Sequence, residues 1–352
     1  MTAFSGQILR VLAIIGLVLA LWYFRTTVML LFLAMLLAMV MAIPAQFLQG
    51  RGASRWLSLI VGVFLCFLGL LVVFAAVVPA VVESASQIAN RYGDAVTVLA
   101  GRYDSWRTEF PFLPDIAGLQ TTFAAGGAGG FMQDILGRLQ NLGSSIGKAI
   151  LAFVLAIFFL ATPNEYRSVI LALLPEANRE RIGSVIDMIV RELRAWLRTL
   201  SLSIAVTVGL VFVSFELLEF PFAFEIAIFV GVATVIPTIG VILPIIPIVV
   251  FGLTAADPWI ILVALPIYLL IQFVEGNFIT PAMMKANLSI LPAGILISQI
   301  IAAQIFGIIG VFLAVPMLVT LTVLVRELYC RDLLGGVVEL QVAVEASPAA
   351  QS

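Results

Sequence analysis

Val235-Ile236-Pro237-Thr238-Ile239-Gly240-Val241-Ile242-Leu243-Pro244-Ile245-Ile246-Pro247 sets three prolines and a glycine inside an otherwise apolar run. Each proline lacks a backbone N–H and clashes with the carbonyl four residues before it. Irregular backbone facing lipid leaves polar groups unsatisfied, so it survives only against protein or water. A straight helix is therefore excluded. Residues 226–253 are expected as two half-helices meeting at Pro237–Pro244, either re-entrant or sharply broken.

The surrounding composition explains why lipid is the relevant solvent. Of 352 residues, 62% belong to the set AVILMFWYC and only 11% are charged, against about 25% charged in ordinary soluble domains. Mean hydropathy is +1.18. A soluble chain of this length needs more polar surface than that, so the chain is an integral membrane protein. With 18 Lys+Arg against 20 Asp+Glu it offers no basic field for nucleic acid. Histidine is absent, which removes His metal sites and Ser-His or Cys-His catalytic pairs. Cys66 and Cys330 read as free thiols. HExxH, paired membrane-depth aspartates and the phosphate-binding GxxxxGK[ST] pattern are all missing. No enzyme, catalytic residue, metal or cofactor is expected, and ATP is not a direct energy source.

About 20 helical residues cross a bilayer core of about 30 Å. Eight transmembrane helices follow: 8–24, 26–48, 56–82, 146–162, 199–218, 226–253, 258–278 and 290–325. The fold class is all-α membrane protein, with broken or re-entrant helices in the C-terminal half and a helical extracytoplasmic region. By domain, 1–82 holds three spans, 83–145 the extracytoplasmic helices and 146–162 the fourth span. Residues 163–198 form a cytoplasmic amphipathic helix, 199–325 a transport core of four spans and 326–352 a cytoplasmic tail. Within 163–198, Ile182, Val185, Ile186, Ile189, Val190, Leu193 and Leu197 share one helical face. That face suits either packing into the next span or a coupling helix at the membrane. Arg51 and Arg55, the arginines of 163–198, and Arg326 with Arg331 all fall on one side, which the positive-inside rule makes cytoplasmic. Both termini are then cytoplasmic, and only Arg25 offends.

Further polar, helix-breaking residues follow the proline run. Gln272, Glu275, Gly276, Asn277 and Thr280-Pro281 end one apolar segment; Lys285, Asn287 and Leu291-Pro292 come next. Gly307, Gly310 and Pro316 interrupt the last. Paired discontinuous segments point to a transporter site near the midplane. A carboxylate at membrane depth is costly and normally faces the bundle interior with a partner. Glu275 is therefore a substrate or ion contact, or else a clamp fixing the break, with Gln272 one turn before it and Lys285 a counter-charge. The pathway candidates are Glu275, Gln272, Asn277 and Lys285. The breaks and hinges are Pro237, Gly240, Pro244, Pro247, Gly276, Pro281, Pro292, Gly307, Gly310 and Pro316.

These same motifs carry a resemblance: Pro237-Thr238-Ile239-Gly240 with Pro244 and Pro247, Glu275-Gly276-Asn277, Leu291-Pro292, Phe306 to Gly310, and Ala314-Val315-Pro316. The sequence resembles the autoinducer-2 exporter family of bacterial membrane transporters. It departs from the family at Val241, where members often have Pro, and at Leu291, where they often have His. The resemblance implies an inner-membrane homo-oligomer, similar to the pentamers known in the family. It implies export of a small polar solute, or sodium(lithium)/proton antiport, since both have been linked to members. An accessory protein binding a partner through 83–142 is the remaining class.

Overall fold

A computed structural model describes residues 22–76, 142–237, 239–255, 258–279 and 292–332, together with residues 16, 19, 20 and 79. The expected span 8–24 and the region 83–141 lie almost wholly outside these. Every regular element among the described residues is helical. Helices α1 (Arg25–Gln49) and α2 (Arg55–Ala76) cross the bilayer by length and hydropathy. Helix α3 (Leu142–Ala161) is followed by α4 (Pro163–Ala172) after a bend of 87°. Helix α5 (Glu176–Leu217) runs unbroken for 42 residues. Among the described residues, five helices are long and apolar enough to cross a membrane, or six if the bent α3–α4 pair is counted as one span.

The amphipathic stretch and the next apolar run are thus one rod. Val185, Leu193 and Leu197 are buried, and Leu193 and Leu197 join a cluster with Met29, Leu36 and Met39 of α1 and residues of the last span. The apolar face seen in the sequence packs the rod into the bundle. Helix α1 also packs on α3 through Ala34, Ala38 and Ala156. Small side chains there let the backbones approach, which is how membrane helices associate without a hydrophobic drive between them.

After α5 the chain turns back on itself. Glu219 and Phe222 take positive φ of 53° and 57°, and α6 (Ala223–Thr234) folds against α5, with Gly231 pressed on Val208. The proline run comes next. It breaks at Val235–Pro237, resumes as the single turn α7 (Ile239–Ile242) and ends as α8 (Ile245–Thr254). A Cβ on Gly240 would run into the Ala233 carbonyl, and Phe222 meets Phe251 with ring centroids 4.5 Å apart. The start of α6 and the end of α8 therefore lie together. Twelve residues rise only about 18 Å, short of a bilayer core. The chain therefore folds back on itself over 226–253 rather than running on as a bent rod.

A 3₁₀ turn at Pro258–Ile260 leads into α9 (Ile261–Val274), which a π-helical turn extends over Glu275–Ile279. Finally α10 (Pro292–Phe306) and α11 (Ile308–Leu324) form a second hairpin about Gly307, and a π-helical turn continues α11 to Arg331. The backbones press closely, since a Cβ on Gly310 would strike the Ala302 carbonyl. The single segment expected over 290–325 is therefore two antiparallel helices.

Candidate functional site

Two neighbours stabilise the first hairpin's tip. Prolines and the break leave carbonyls with no helical donor. Tyr268 Oη, on fully buried Tyr268 of α9, donates to the Val241 carbonyl at 2.8 Å. Gln299 Nε2, from α10, donates to the Pro237 carbonyl at 3.0 Å. Each side chain replaces a lost backbone donor, so the broken segment is clamped from both sides.

From that tip a polar seam runs along the contact between α5 and α9. These helices are antiparallel, with Val211 and Phe215 packed into one cluster with Ala264, Tyr268 and Ile271. One turn beyond Tyr268 lies Gln272, which is 7% exposed. Glu275 follows a turn later and accepts a hydrogen bond from Ser203 Oγ of α5. Thr207, one turn from Ser203, is fully buried. At 1.5 Å per residue, the Ser203–Glu275 bond sets Thr207 and Gln272 at about the same level. Thr207 Oγ1 and Gln272 Nε2 are both buried with no hydrogen-bond partner among the described residues. Buried polar groups are normally satisfied, and here two lie at one level beside a carboxylate. The polar groups available are two hydroxyls, an amide and a carboxylate. Among the described residues no three of Asp, Glu, His and Cys cluster.

Far along α5, Arg181 and Arg198 are tied down. Arg181 Nη2 binds Glu327 at 3.1 Å and Asp332 at 2.9 Å, joining the start of α5 to the end of α11. Arg198 Nη2 donates to Gln46 Oε1 at 3.0 Å, and Arg55 Nη2 to the Ala161 carbonyl at 3.0 Å. The ends of α1 and α3, the start of α2 and Arg198 thus share one level. Arg167 forms a bidentate pair with Asp187, whose hydrogen bond and charge raise its pKa above the ordinary arginine value.

Residues 11–329, nearly the whole chain, match the family described as AI-2E family transporter. The chain belongs to that family. It is 24% identical over 289 residues, 79% of this chain and 80% of the relative, to "Putative transport protein YrrI" of Bacillus subtilis (strain 168). It is 25% identical over 319 residues, 84% of this chain and 76% of the relative, to "Putative transport protein sll0063" of Synechocystis sp. (strain ATCC 27184 / PCC 6803 / Kazusa). The protein is therefore a multi-pass membrane transporter of the AI-2E family.

The structure brings only some of the expected residues to the seam. Glu275 and Gln272 lie in it, and Pro237, Gly240 and buried Pro244 build the tip beside it. Pro247 sits half-buried inside α8. Asn277 is exposed and donates to the Phe273 carbonyl at 2.8 Å, so it caps its own helix rather than facing Gln272. Gly276 is exposed, with nothing within 4 Å of a Cβ placed on it. Pro292 opens α10, Gly307 turns the second hairpin and Gly310 seals it; Pro316 is buried inside α11 without ending it. Lys285, Pro281 and Asn287 lie outside the described residues. Sequence reasoning missed Ser203, Thr207, Tyr268 and Gln299. The available signal was the i, i+4 spacing of Ser203 and Thr207 within an apolar span.

Proposed function

We propose that this AI-2E family transporter is a secondary transporter that exports a small polar solute of autoinducer-2-like character across the bacterial cytoplasmic membrane. The path would run along Ser203, Thr207, Gln272 and Glu275, between the arginine-rich side and the tip at Pro237–Pro244. The observation that carries this reading is the pairing of Glu275 with Ser203 beside two buried polar atoms that lack partners among the described residues. A hydroxylated solute supplies what such atoms want, namely acceptors for an amide and donors for a carboxylate. The arginine-rich level would be cytoplasmic. On that reading α9 and the two limbs of the second hairpin each cross, while the first hairpin enters and leaves from outside. Eight crossings and cytoplasmic termini result, with a homo-oligomer as the working assembly.

A second reading is sodium(lithium)/proton antiport. The hard oxygen donors of Glu275, Ser203 and Thr207 favour it, because such donors suit hard cations. Glu275→Gln, inserted and folded normally, keeps the shape but loses the charge. Transport in reconstituted vesicles is expected to fall at least tenfold, and an unchanged rate would remove Glu275 from the path. Adding Na⁺ or Li⁺ to vesicles carrying a pH gradient separates the readings, since only the antiporter dissipates that gradient.

A further inference from the structure

The bend of 87° between α3 and α4 turns the chain out of the bilayer normal where the span ends. That level is marked independently. Arg55 holds the last carbonyl of α3, at Ala161, and Trp56 beside it is 75% exposed. Phe159 and Tyr166 stack edge to face across the bend at 4.8 Å. Exposed tryptophan and tyrosine beside arginine is the composition of a membrane–water boundary.

Helix α4 itself has three faces. One faces α5: Arg167 pairs with Asp187, and Leu171 lies against Gly183. A second carries exposed Glu165 and Ser168. The third carries Tyr166, Val169, Ile170 and Leu173, at three- and four-residue steps. Apart from the ring contact of Tyr166 with Phe159 it is exposed among the described residues, with Val169 61% and Leu173 82% exposed, and it continues the exposed apolar side of α3 at Phe158. An apolar stripe, separate from both the protein-facing and the polar faces and continuous with a lipid-facing surface, fits one occupant.

We propose that α4 is an in-plane helix of the leaflet at the arginine-rich end, with Tyr166, Val169, Ile170 and Leu173 embedded at the boundary between lipid headgroups and acyl chains. Amphipathic helices of this kind bury their apolar face about 5–10 Å into that boundary. The Arg167–Asp187 pair then fastens a membrane-floating element to the rod that carries Ser203 and Thr207.

The test uses the full chain with Cys66→Ala and Cys330→Ala, reconstituted in vesicles of phosphatidylethanolamine and phosphatidylglycerol. Single spin-labelled cysteines are placed at Val169, Ile170 and Leu173, and at Glu165 and Ser168. Collision with oxygen, which partitions into lipid, is compared with collision with a water-soluble nickel chelate. The stripe is expected to show an oxygen-to-nickel ratio several-fold above that at Glu165 and Ser168. Nickel access at the stripe equal to that at Glu165 overturns the proposal. So does protection from both probes with spin–spin broadening between copies, which assigns the stripe to a second chain. A fluorophore at Leu173, the most exposed position, gives a second measurement that leaves packing untouched. Quenching by lipids brominated high on the acyl chain supports the proposal, and its absence overturns it.

Discussion

The hairpin at Pro237 and the hairpin at Gly307 lie side by side, joined by the bond from Gln299 to the Pro237 carbonyl, and they reverse the chain by different means. The first uses prolines, which break the helix by subtraction: donors vanish and carbonyls are left over. Its repair comes from outside, from Tyr268 and Gln299. The second uses one glycine at φ 67°, ψ −151°, a conformation essentially restricted to glycine. Its own backbone keeps the ladder, with Gly307 N–H bonded to the Ala303 carbonyl and Val311 N–H to the Gly307 carbonyl. The first tip therefore depends on its neighbours and the second on a single residue. A tip whose carbonyls are held by side chains can exchange those partners during a transport cycle. One held by its own backbone serves better as a fixed support.

The comparison breaks most violently where the limbs of each hairpin touch. Gly240→Ala and Gly310→Ala drive a methyl into the backbone carbonyls of Ala233 and Ala302, and backbone cannot step aside. A destabilisation of about 3 kcal/mol or more is expected for each, the upper end of overpacking. Aggregation on detergent extraction, followed by gel filtration, is the readout. A stable Gly240→Ala protein would mean the first hairpin is looser than its geometry. Next in size is Gly307→Ala. Its Cβ meets nothing within 4 Å, so only the backbone conformation resists, at about 1–3 kcal/mol. Thermal unfolding in detergent should show a lowered Tm without aggregation at the start.

Side-chain clamps come third. Tyr268→Phe keeps the ring and leaves the Val241 carbonyl unpaired, costing about 1 kcal/mol. Gln299→Leu also strands a carbonyl, at Pro237, but it removes as well the buried Oε1 of Gln299, which has no hydrogen-bond partner among the described residues. Its effect on Tm should be smaller than that of Tyr268→Phe. The reverse order would mean that Gln299 is the principal clamp.

Much of this architecture could be read from the chain. Pro237, Pro244 and Pro247 announce a break because proline's chemistry is local, and Gly307 and Gly310 announce another. Local chemistry does not state direction. Whether two half-helices continue or fold back depends on partners distant in sequence, such as Phe222 with Phe251. The 36-residue run read as one span concealed a reversal at a single glycine for the same reason. Within the site, Glu275 and Gln272 stood out because carboxylates and amides are rare in apolar helices. Ser203 and Thr207 did not, because small hydroxyls are common there and often bond their own backbone. Only the antiparallel register of α5 and α9 brings those hydroxyls alongside Glu275 and Gln272. Asn277 shows the converse: a polar residue adjacent to the site in sequence that the helix turns away from it.

The smallest expected effect tests whether every glycine near the breaks is needed. Gly276 follows Glu275 directly and looks in sequence like a hinge, yet it is exposed and a Cβ would enter open space. It has neither the close approach of Gly240 and Gly310 nor the positive φ of Gly307. In a helical turn free of both constraints, glycine mainly adds entropy to the unfolded chain. Gly276→Ala should therefore stabilise the protein by about 0.4–1 kcal/mol, with a slightly higher Tm and unchanged transport. If Tm rises while transport falls, the π-helical turn over Glu275–Ile279 must flex during the cycle. Gly276 would then be a moving joint beside Glu275, and the side-chain-clamped tip at Pro237 would not be the only adjustable part of the core.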